Sequence, residues 1–192
     1  MNNKFFTFIK PYLAFIDNGD FFKKPFLWLY TILALINLII PIYILYEAID
    51  NKIFDAGAKH VFIFFIVWLI ITFASWVSFQ LWWDRRFKVV SISKMGDDFV
   101  VIPIFSHFVQ TAGEWIGTWL GIVGFFSSLL VSLFIGEEGS NFMQNLNLGF
   151  LSLNFIFIIL MPVIGFLIII VTRFLSEQFK AIAMIANNTK KS

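Results

Sequence analysis

Four long runs of apolar residues constrain this chain more than any other feature of its sequence. A helix that crosses the hydrocarbon core of a bilayer needs about 20 predominantly apolar residues. The four runs, 26–46, 61–83, 115–135 and 148–172, all reach that length. They are continuous, whereas the strands of a membrane barrel are about ten residues of alternating polarity. The sequence therefore predicts an all-α, polytopic membrane protein with four transmembrane helices.

The composition supports this class of protein and excludes any function that depends on cysteine. Charged residues make up 14% of the 192 residues, whereas a soluble domain carries about a quarter. The chain contains no Cys, which excludes disulfides, thiolate catalysis and thiolate metal sites. No small-x-small cleavage site follows the first apolar run, so we expect this span to remain as an anchor.

The distribution of Lys and Arg predicts the orientation of the four spans. The segments before, between and after them contain four, two, four, none and four of these residues. The first, third and fifth segments therefore carry 12 Lys or Arg residues in total, and the second and fourth carry 2. Short loops on the cytoplasmic side of a membrane are the ones enriched in Lys and Arg. We expect both termini on the cytoplasmic side of a bacterial inner membrane. The spans then form two helical hairpins, joined by a basic cytoplasmic loop.

Side chains at the ends of the runs predict where the membrane surface lies. Aromatic rings beside cationic residues favour the headgroup region, although such rings can also belong to the protein core. The predicted interface anchors are Trp82, Trp83, Arg85, Arg86 and Arg173. Segments 1–25 and 173–192 mix apolar and charged residues, which predicts amphipathic helices on the cytoplasmic surface. No loop is long enough for a separate soluble domain, so residues 1–192 form a single membrane domain.

The stretch "SHFVQTAGEWIGTWLGIVG", residues 106–124, carries two rows of unusual residues into the third span. At 100° per residue on a helix, one face carries a polar row, which consists of His107, Gln110 and Glu114. The adjoining side carries a glycine row, which consists of Gly113, Gly117, Gly121 and Gly124. Small residues at every fourth position let the backbones of membrane helices approach closely. The glycine row therefore predicts a packing surface for another helix.

The polar row leaves two alternatives open. Glu114 is the only charged residue between Asp98 and Glu137. If the third span is 115–135, which hydropathy favours, Glu114 lies at the cytoplasmic interface. If the span begins near Pro103, Glu114 lies near mid-membrane, where an ionisable residue is a functional hypothesis. A His and a Glu on one face are a pattern that proton relays use. A third metal ligand is lacking, so we predict no metal and no other cofactor.

Three segments carry a resemblance to a known class of proteins. The segments "FIDNGDFFKKPFLWLY", "SHFVQTAGEWIGTW" and "VTRFLSEQFKAIAMIANNTKK" resemble small uncharacterised bacterial four-span inner-membrane proteins of unknown function. The resemblance covers most of the chain. It implies a localisation and a fold, but it implies no particular activity, substrate or cofactor.

The expected function is that of a non-enzymatic accessory or scaffold component that acts by helix–helix packing. Its partners would be the lipid bilayer and a second copy or another membrane protein, with no nucleic acid. The sequence contains no HExxH and no GxSxG motif, and an enzyme acting on lipid would need a nucleophile that we do not find. The alternative is a small oligomeric transporter or channel whose pathway passes the polar row.

Overall fold

The structure of the chain is a computed structural model. It describes residues 8–17, 20–92, 101–134, 144–145, 147 and 155–191, and these residues form helices and turns. The predicted start of the fourth span at 148 lies outside them, as do residues 1–7 of the N-terminal segment.

Six α-helices of eight or more residues form most of the described part of the chain. α1 is Lys10–Asp17, α2 is Asp20–Asp50 and α3 is Ala58–Ile92. α4 is Val101–Trp119, which continues through a π-helical segment, Leu120–Gly124, into α5, Phe125–Phe134. α6 is Ile156–Lys191.

Four helical stretches are long and apolar enough to cross a membrane. They are Lys23–Asp50, Ala58–Ser91, Val101–Phe134 and Ile156–Thr189. This confirms the prediction of an all-α, polytopic membrane protein with four spans.

The third and fourth spans extend further than the apolar runs that predicted them. The helix of the third span begins at Val101 rather than near 115, and its 34 residues extend over about 51 Å. The hydrocarbon core is only about 30 Å thick. α6 likewise continues without a break through residue 173 into the predicted tail. Hydropathy identifies the part of a helix that suits the lipid core. It does not predict how far the helix continues beyond that part, because the backbone hydrogen bonds that continue it do not depend on apolar side chains.

The helices pack as two hairpins. α2 packs on α3, and α4 and α5 pack on α6. The turn between α2 and α3 contains a short 3₁₀-helix, Ile53–Asp55. Lys52 before it has a left-handed backbone, with φ of 53°, and Gly57 after it has φ of 95°, which glycine adopts without steric cost. α3 also contacts α4 and α5 and so joins the hairpins.

One end of the bundle is rich in cationic side chains, and we call it the basic end. Here α2 begins, α3 ends, α4 begins and α6 ends, as contacts such as Phe26 with Phe108 and Phe105 with Phe179 show. Its cationic side chains include Arg85, Arg86, Lys88, Arg173 and Lys180. A buried cluster of Tyr30, Ala34, Trp82, Val89 and Ile104 lies at this end. A larger cluster of buried apolar residues, which includes Ile44, Ile71, Val123 and Val131, lies in the rest of the bundle.

Three of the four glycines in the predicted row lie against α6. A Cβ atom on Gly117 would overlap the backbone oxygen of Gly165 and the side chain of Ile169. A Cβ on Gly113 would overlap Thr172, and one on Gly124 would lie 2.8 Å from Met161. At these positions only glycine permits the observed distance between the two helices.

Gly121 departs from the prediction, because a Cβ atom there would have no neighbour within 4 Å among the described residues. The cause is the π-helical segment that contains this residue. A π-helical turn holds more residues than an α-helical turn, so the even spacing of 100° assumed for the row no longer applies. The backbone nitrogen of Gly121 nevertheless lies 3.1 Å from the position of a Cβ on Gly165.

Candidate functional site

The Glu114 carboxylate occupies the centre of a polar cluster at the basic end. Its residue is only 7% exposed. The Oε1 atom accepts hydrogen bonds from Gln110 at 2.9 Å and from Arg173 at 2.9 and 3.2 Å. The Oε2 atom accepts one from Arg85 at 2.9 Å. Both oxygens of this carboxylate are therefore engaged.

The two arginines reach Glu114 from different hairpins. Arg85 lies on α3 and Arg173 on α6, and both form ion pairs with Glu114. The Arg85 side chain is 20% exposed, whereas that of Arg173 is 57% exposed. Removing charges from water costs several kcal/mol for each ion, and pairing offsets that cost. Because Arg85 belongs to the first hairpin and Glu114 to the second, the pairing also ties the hairpins together.

A second link between the hairpins joins Tyr30 on α2 to His107 on α4. The Tyr30 hydroxyl lies 2.8 Å from Nδ1 of His107, and the two rings are stacked with their centroids 5.8 Å apart. The same hydroxyl donates to Oγ1 of Thr111 at 3.5 Å, and Thr111 donates to the His107 carbonyl at 2.8 Å. The Nε2 atom of His107 is buried and has no hydrogen-bond partner among the described residues.

A third link lies about two turns further along α4. Nε1 of Trp115 donates to Oδ1 of Asn37 at 3.0 Å, and Nδ2 of Asn37 donates to the Leu33 carbonyl at 2.7 Å. Asn37 is fully buried in α2. Within the second hairpin, the hydroxyl of Ser106 donates to the Ser176 carbonyl at 2.7 Å.

We use the name polar junction for Glu114, His107 and the residues that bond to their side chains: Tyr30, Arg85, Gln110 and Arg173. All three residues of the predicted polar row belong to it, but they face different neighbours. His107 contacts α2, whereas Glu114 lies between α3 and α6. Helix α4 therefore uses its polar row to contact each of the other three long helices.

The structure places two of the predicted interface anchors, Trp82 and Arg85, inside the bundle. Trp82 is fully buried, and its ring contacts those of Tyr30, Phe108 and Trp115. It is therefore a core residue, because α4 covers the face of α3 that carries it. Arg85 points to Glu114 rather than outward. Trp83 is 37% exposed and lies beneath the Arg86 guanidinium, whose carbon is 3.9 Å from the ring centroid.

Sequence reasoning missed most of the partners of these residues. The missed residues are Tyr30, Ser106, Gly165 and Ser176. Gly165 has Met161 and Ile169 at four residues on either side, so a search for repeated small residues passes over it. The other three are polar residues on three different helices, and only the relative rotation of those helices shows which residues they meet.

The chemistry open to the junction is limited by its hydrogen bonds. No group of three or more metal-binding side chains occurs within the part of the chain that the structure describes. The Glu114 carboxylate accepts four hydrogen bonds from three residues, so both of its oxygens are occupied as acceptors. The Nε2 atom of His107 has no hydrogen-bond partner among the described residues, so it could form a hydrogen bond with a further donor or acceptor.

The fold and this junction define the class of the protein as an all-α, polytopic membrane protein. Comparison with protein families, curated proteins and solved structures found no match to the chain. The resemblance to bacterial four-span proteins therefore stays a prediction.

Proposed function

We propose that the protein is a non-enzymatic accessory or scaffold component of a bacterial inner membrane and acts by helix–helix packing. The observation that carries this proposal is the engagement of Glu114 by Arg85, Gln110 and Arg173. A carboxylate paired with arginines from two hairpins is used to hold the bundle together. A carboxylate that binds a transported ion would need an open position for that ion.

The proposed placement in the membrane follows from charge and helix length. Residues 114–134 of the third span cover about 30 Å along the helix axis, which is the thickness of the hydrocarbon core. Glu114 would then lie level with one membrane surface while remaining buried within the bundle. The excess of Lys and Arg at the basic end supports a cytoplasmic location of that end and of both termini. Glu114 then lies at the membrane surface, as a span of 115–135 predicts. Its helix nevertheless begins near Pro103, as in the alternative that the sequence left open.

The surface proposed for a partner is the outer face of α6. Only 11% of the most apolar stretch of α6 is buried within the chain, compared with 39% for α3. Exposed apolar side chains on this face include Ile159, Val163, Phe166 and Ile170. A second copy of the chain or another membrane protein would pack here, with the glycine row and Gly165 holding α6 against α4 from the other side.

Photo-cross-linking in native membranes tests the packing function. A photoreactive amino acid replaces Phe166, which is 62% exposed on α6, or Phe64, which is fully buried on α3 and serves as the control. We expect one discrete adduct from position 166, identified by mass spectrometry as a second copy or a membrane protein, and none from position 64. If position 166 gives no adduct and the protein is a monomer in native membranes, the packing function is wrong.

The unpaired Nε2 of His107 favours one second candidate, a small oligomeric transporter or channel that moves protons past the junction. Proteoliposomes that contain a pH-sensitive dye test it under an imposed potential. Proton flux that is lost in His107→Asn and Glu114→Gln would establish transport. Flux equal to that of empty liposomes would leave packing as the function.

A further inference from the structure

A cleft between α2 and α3 at the basic end lies outside the polar junction. Its volume is about 340 Å³, which is at the lower end of the range for sites that bind small molecules. The side chains that line it are Leu27, Trp28, Thr31, Arg86, Phe87 and Val90. One cation thus lies among mainly apolar and aromatic side chains.

The guanidinium group of Arg86 is held in a fixed orientation in this cleft. It donates to Oγ1 of Thr31 at 3.3 Å and lies over the rings of Trp83 and Phe87, with its carbon 3.9 and 4.9 Å from their centroids. The Thr31 hydroxyl is itself fixed, because it donates to the Leu27 carbonyl at 2.8 Å. The site is therefore organised before any ligand enters.

Arg86 differs from its neighbour Arg85 in how its charge is balanced. Arg85 pairs with Glu114, whereas no carboxylate among the described residues pairs with Arg86. A guanidinium group has five N–H donors, and the bond to Thr31 uses one of them. A half-buried cation with remaining donors favours an anionic ligand.

The surroundings of Arg86 indicate what kind of anion this is. Trp28 and Phe87 are 73% and 58% exposed, and aromatic rings of this kind favour the headgroup region of a bilayer. Trp28 also borders an adjoining cleft that contains Lys24, so a second cation lies nearby. An anion that carries its own apolar chains would match both the charge and these exposed rings.

We propose that this cleft binds the phosphate of an anionic phospholipid in the leaflet at the basic end. Arg86 donates N–H groups to the phosphate oxygens, for which a planar guanidinium is well suited. Trp28 and Phe87 lie beside the glycerol region and the first methylene groups. Basic pockets between transmembrane helices recognise anionic headgroups in this way. The proposal rests on insertion of the four spans in a membrane and is independent of the packing function.

Native mass spectrometry of the detergent-solubilised full chain, titrated with phosphatidylglycerol or phosphatidylcholine, tests this site. We expect Arg86→Gln to weaken phosphatidylglycerol binding about tenfold, as for the loss of one charge-assisted hydrogen bond. Lys88→Gln is the matched control, because it removes the same charge from an exposed position on the same helix. It should change binding less than twofold.

A second variant keeps the test valid if Arg86→Gln does not fold. Thr31→Val retains the charge and the side-chain shape, and it releases the guanidinium from its fixed orientation. We expect it to weaken phosphatidylglycerol binding about threefold and to leave the weaker binding of phosphatidylcholine unchanged.

Four results would overturn the proposal. Equal losses from Arg86→Gln and Lys88→Gln would show only a general attraction to charge. Equal binding of the two lipids to the wild-type protein would exclude recognition of the anion. Displacement of the lipid by millimolar inorganic phosphate would make this a site for the free ion. Unchanged binding in Thr31→Val would show that the guanidinium is not positioned as we describe.

Discussion

The contact between α4 and α6 differs from the contact between the two hairpins in the kind of residue that forms it. Along the apolar part of their contact, α4 meets α6 through Gly117 and Gly165, where missing side chains bring the backbones together. Toward the basic end, side-chain bonds such as those of Ser106 with Ser176 and Glu114 with Arg173 add to this contact. At the basic end, the hairpins meet through side-chain pairs: Tyr30 with His107, Asn37 with Trp115, and Arg85 with Glu114.

This difference shows how a small membrane bundle obtains both close packing and specificity. Lipid tails are as apolar as leucine, so apolar contacts alone give little preference for one arrangement of membrane helices. Glycines add dispersion contacts at one fixed separation. Hydrogen-bonded pairs favour one rotation and one vertical position of each hairpin relative to the other. Any other arrangement would leave a buried polar group without its partner, which costs free energy.

The largest expected effect comes from removing the charge at the centre of the polar junction. Glu114→Gln leaves Arg85, whose side chain is 20% exposed, without its counter-ion. Breaking a buried ion pair costs 3–5 kcal/mol, and the exposure of Arg173 places this case at the lower end, about 3 kcal/mol. Unfolding in mixed micelles of a mild detergent and SDS measures the loss.

The control for this variant is Glu177→Gln, which makes the same change at an exposed position of α6. We expect a change within about 0.5 kcal/mol there. Equal losses at the two positions would show that Glu114 has no special role in joining the hairpins.

A smaller effect is expected at the glycine contact. Gly117→Ala places a Cβ atom against the backbone oxygen of Gly165, and moving a packed backbone apart costs about 2 kcal/mol. Gly121→Ala has open space around its new Cβ atom and should be neutral or slightly stabilising, since alanine favours a helix. Thermal unfolding of both variants in lipid nanodiscs compares them. A loss at 121 as large as that at 117 would contradict the description of the contact.

The smallest of the three effects is expected for Tyr30→Phe. This change removes the hydroxyl that lies 2.8 Å from Nδ1 of His107 and keeps the ring stacking. The lost hydrogen bond should cost about 1 kcal/mol, measured by the same unfolding assay. Tyr46→Phe, at a 63% exposed position on the same helix, should have no measurable effect. A neutral Tyr30→Phe would mean that this pair contributes no stability between the hairpins.

The sequence predicted the fold well because lipid imposes a simple rule on length and polarity. Four apolar runs predicted four long helices, and α2 and α3 contain the predicted spans 26–46 and 61–83. The span 115–135 that hydropathy favoured starts well inside the helix, whereas the alternative start near Pro103 lies two residues from Val101, where α4 begins. The sequence did not predict that α6 continues without a break through residue 173. Outside the hydrocarbon core, hydropathy no longer separates helix from loop.

The site was predicted only in part, for a different physical reason. Periodicity within one helix grouped His107, Gln110 and Glu114 in one row, and the structure places Gln110 against Glu114 and His107 against α2. It could not show that Arg85 and Arg173 turn toward Glu114, since both also fit the pattern of interface anchors. Nor could it reveal the π-helical segment at Leu120–Gly124, which changes the direction of Gly121.

The most direct test of the central claim, that Glu114 ties the two hairpins together, is a double-mutant cycle with Arg85→Gln and Glu114→Gln. Unfolding free energies of the two single variants and the double variant give the coupling between the side chains. We predict a coupling of about 2 kcal/mol, within the range for residues in direct contact. A cycle with Arg173→Gln should give less, because that side chain is 57% exposed. If the Arg85 and Glu114 changes are additive within about 0.5 kcal/mol, the hairpins are not joined through this pair.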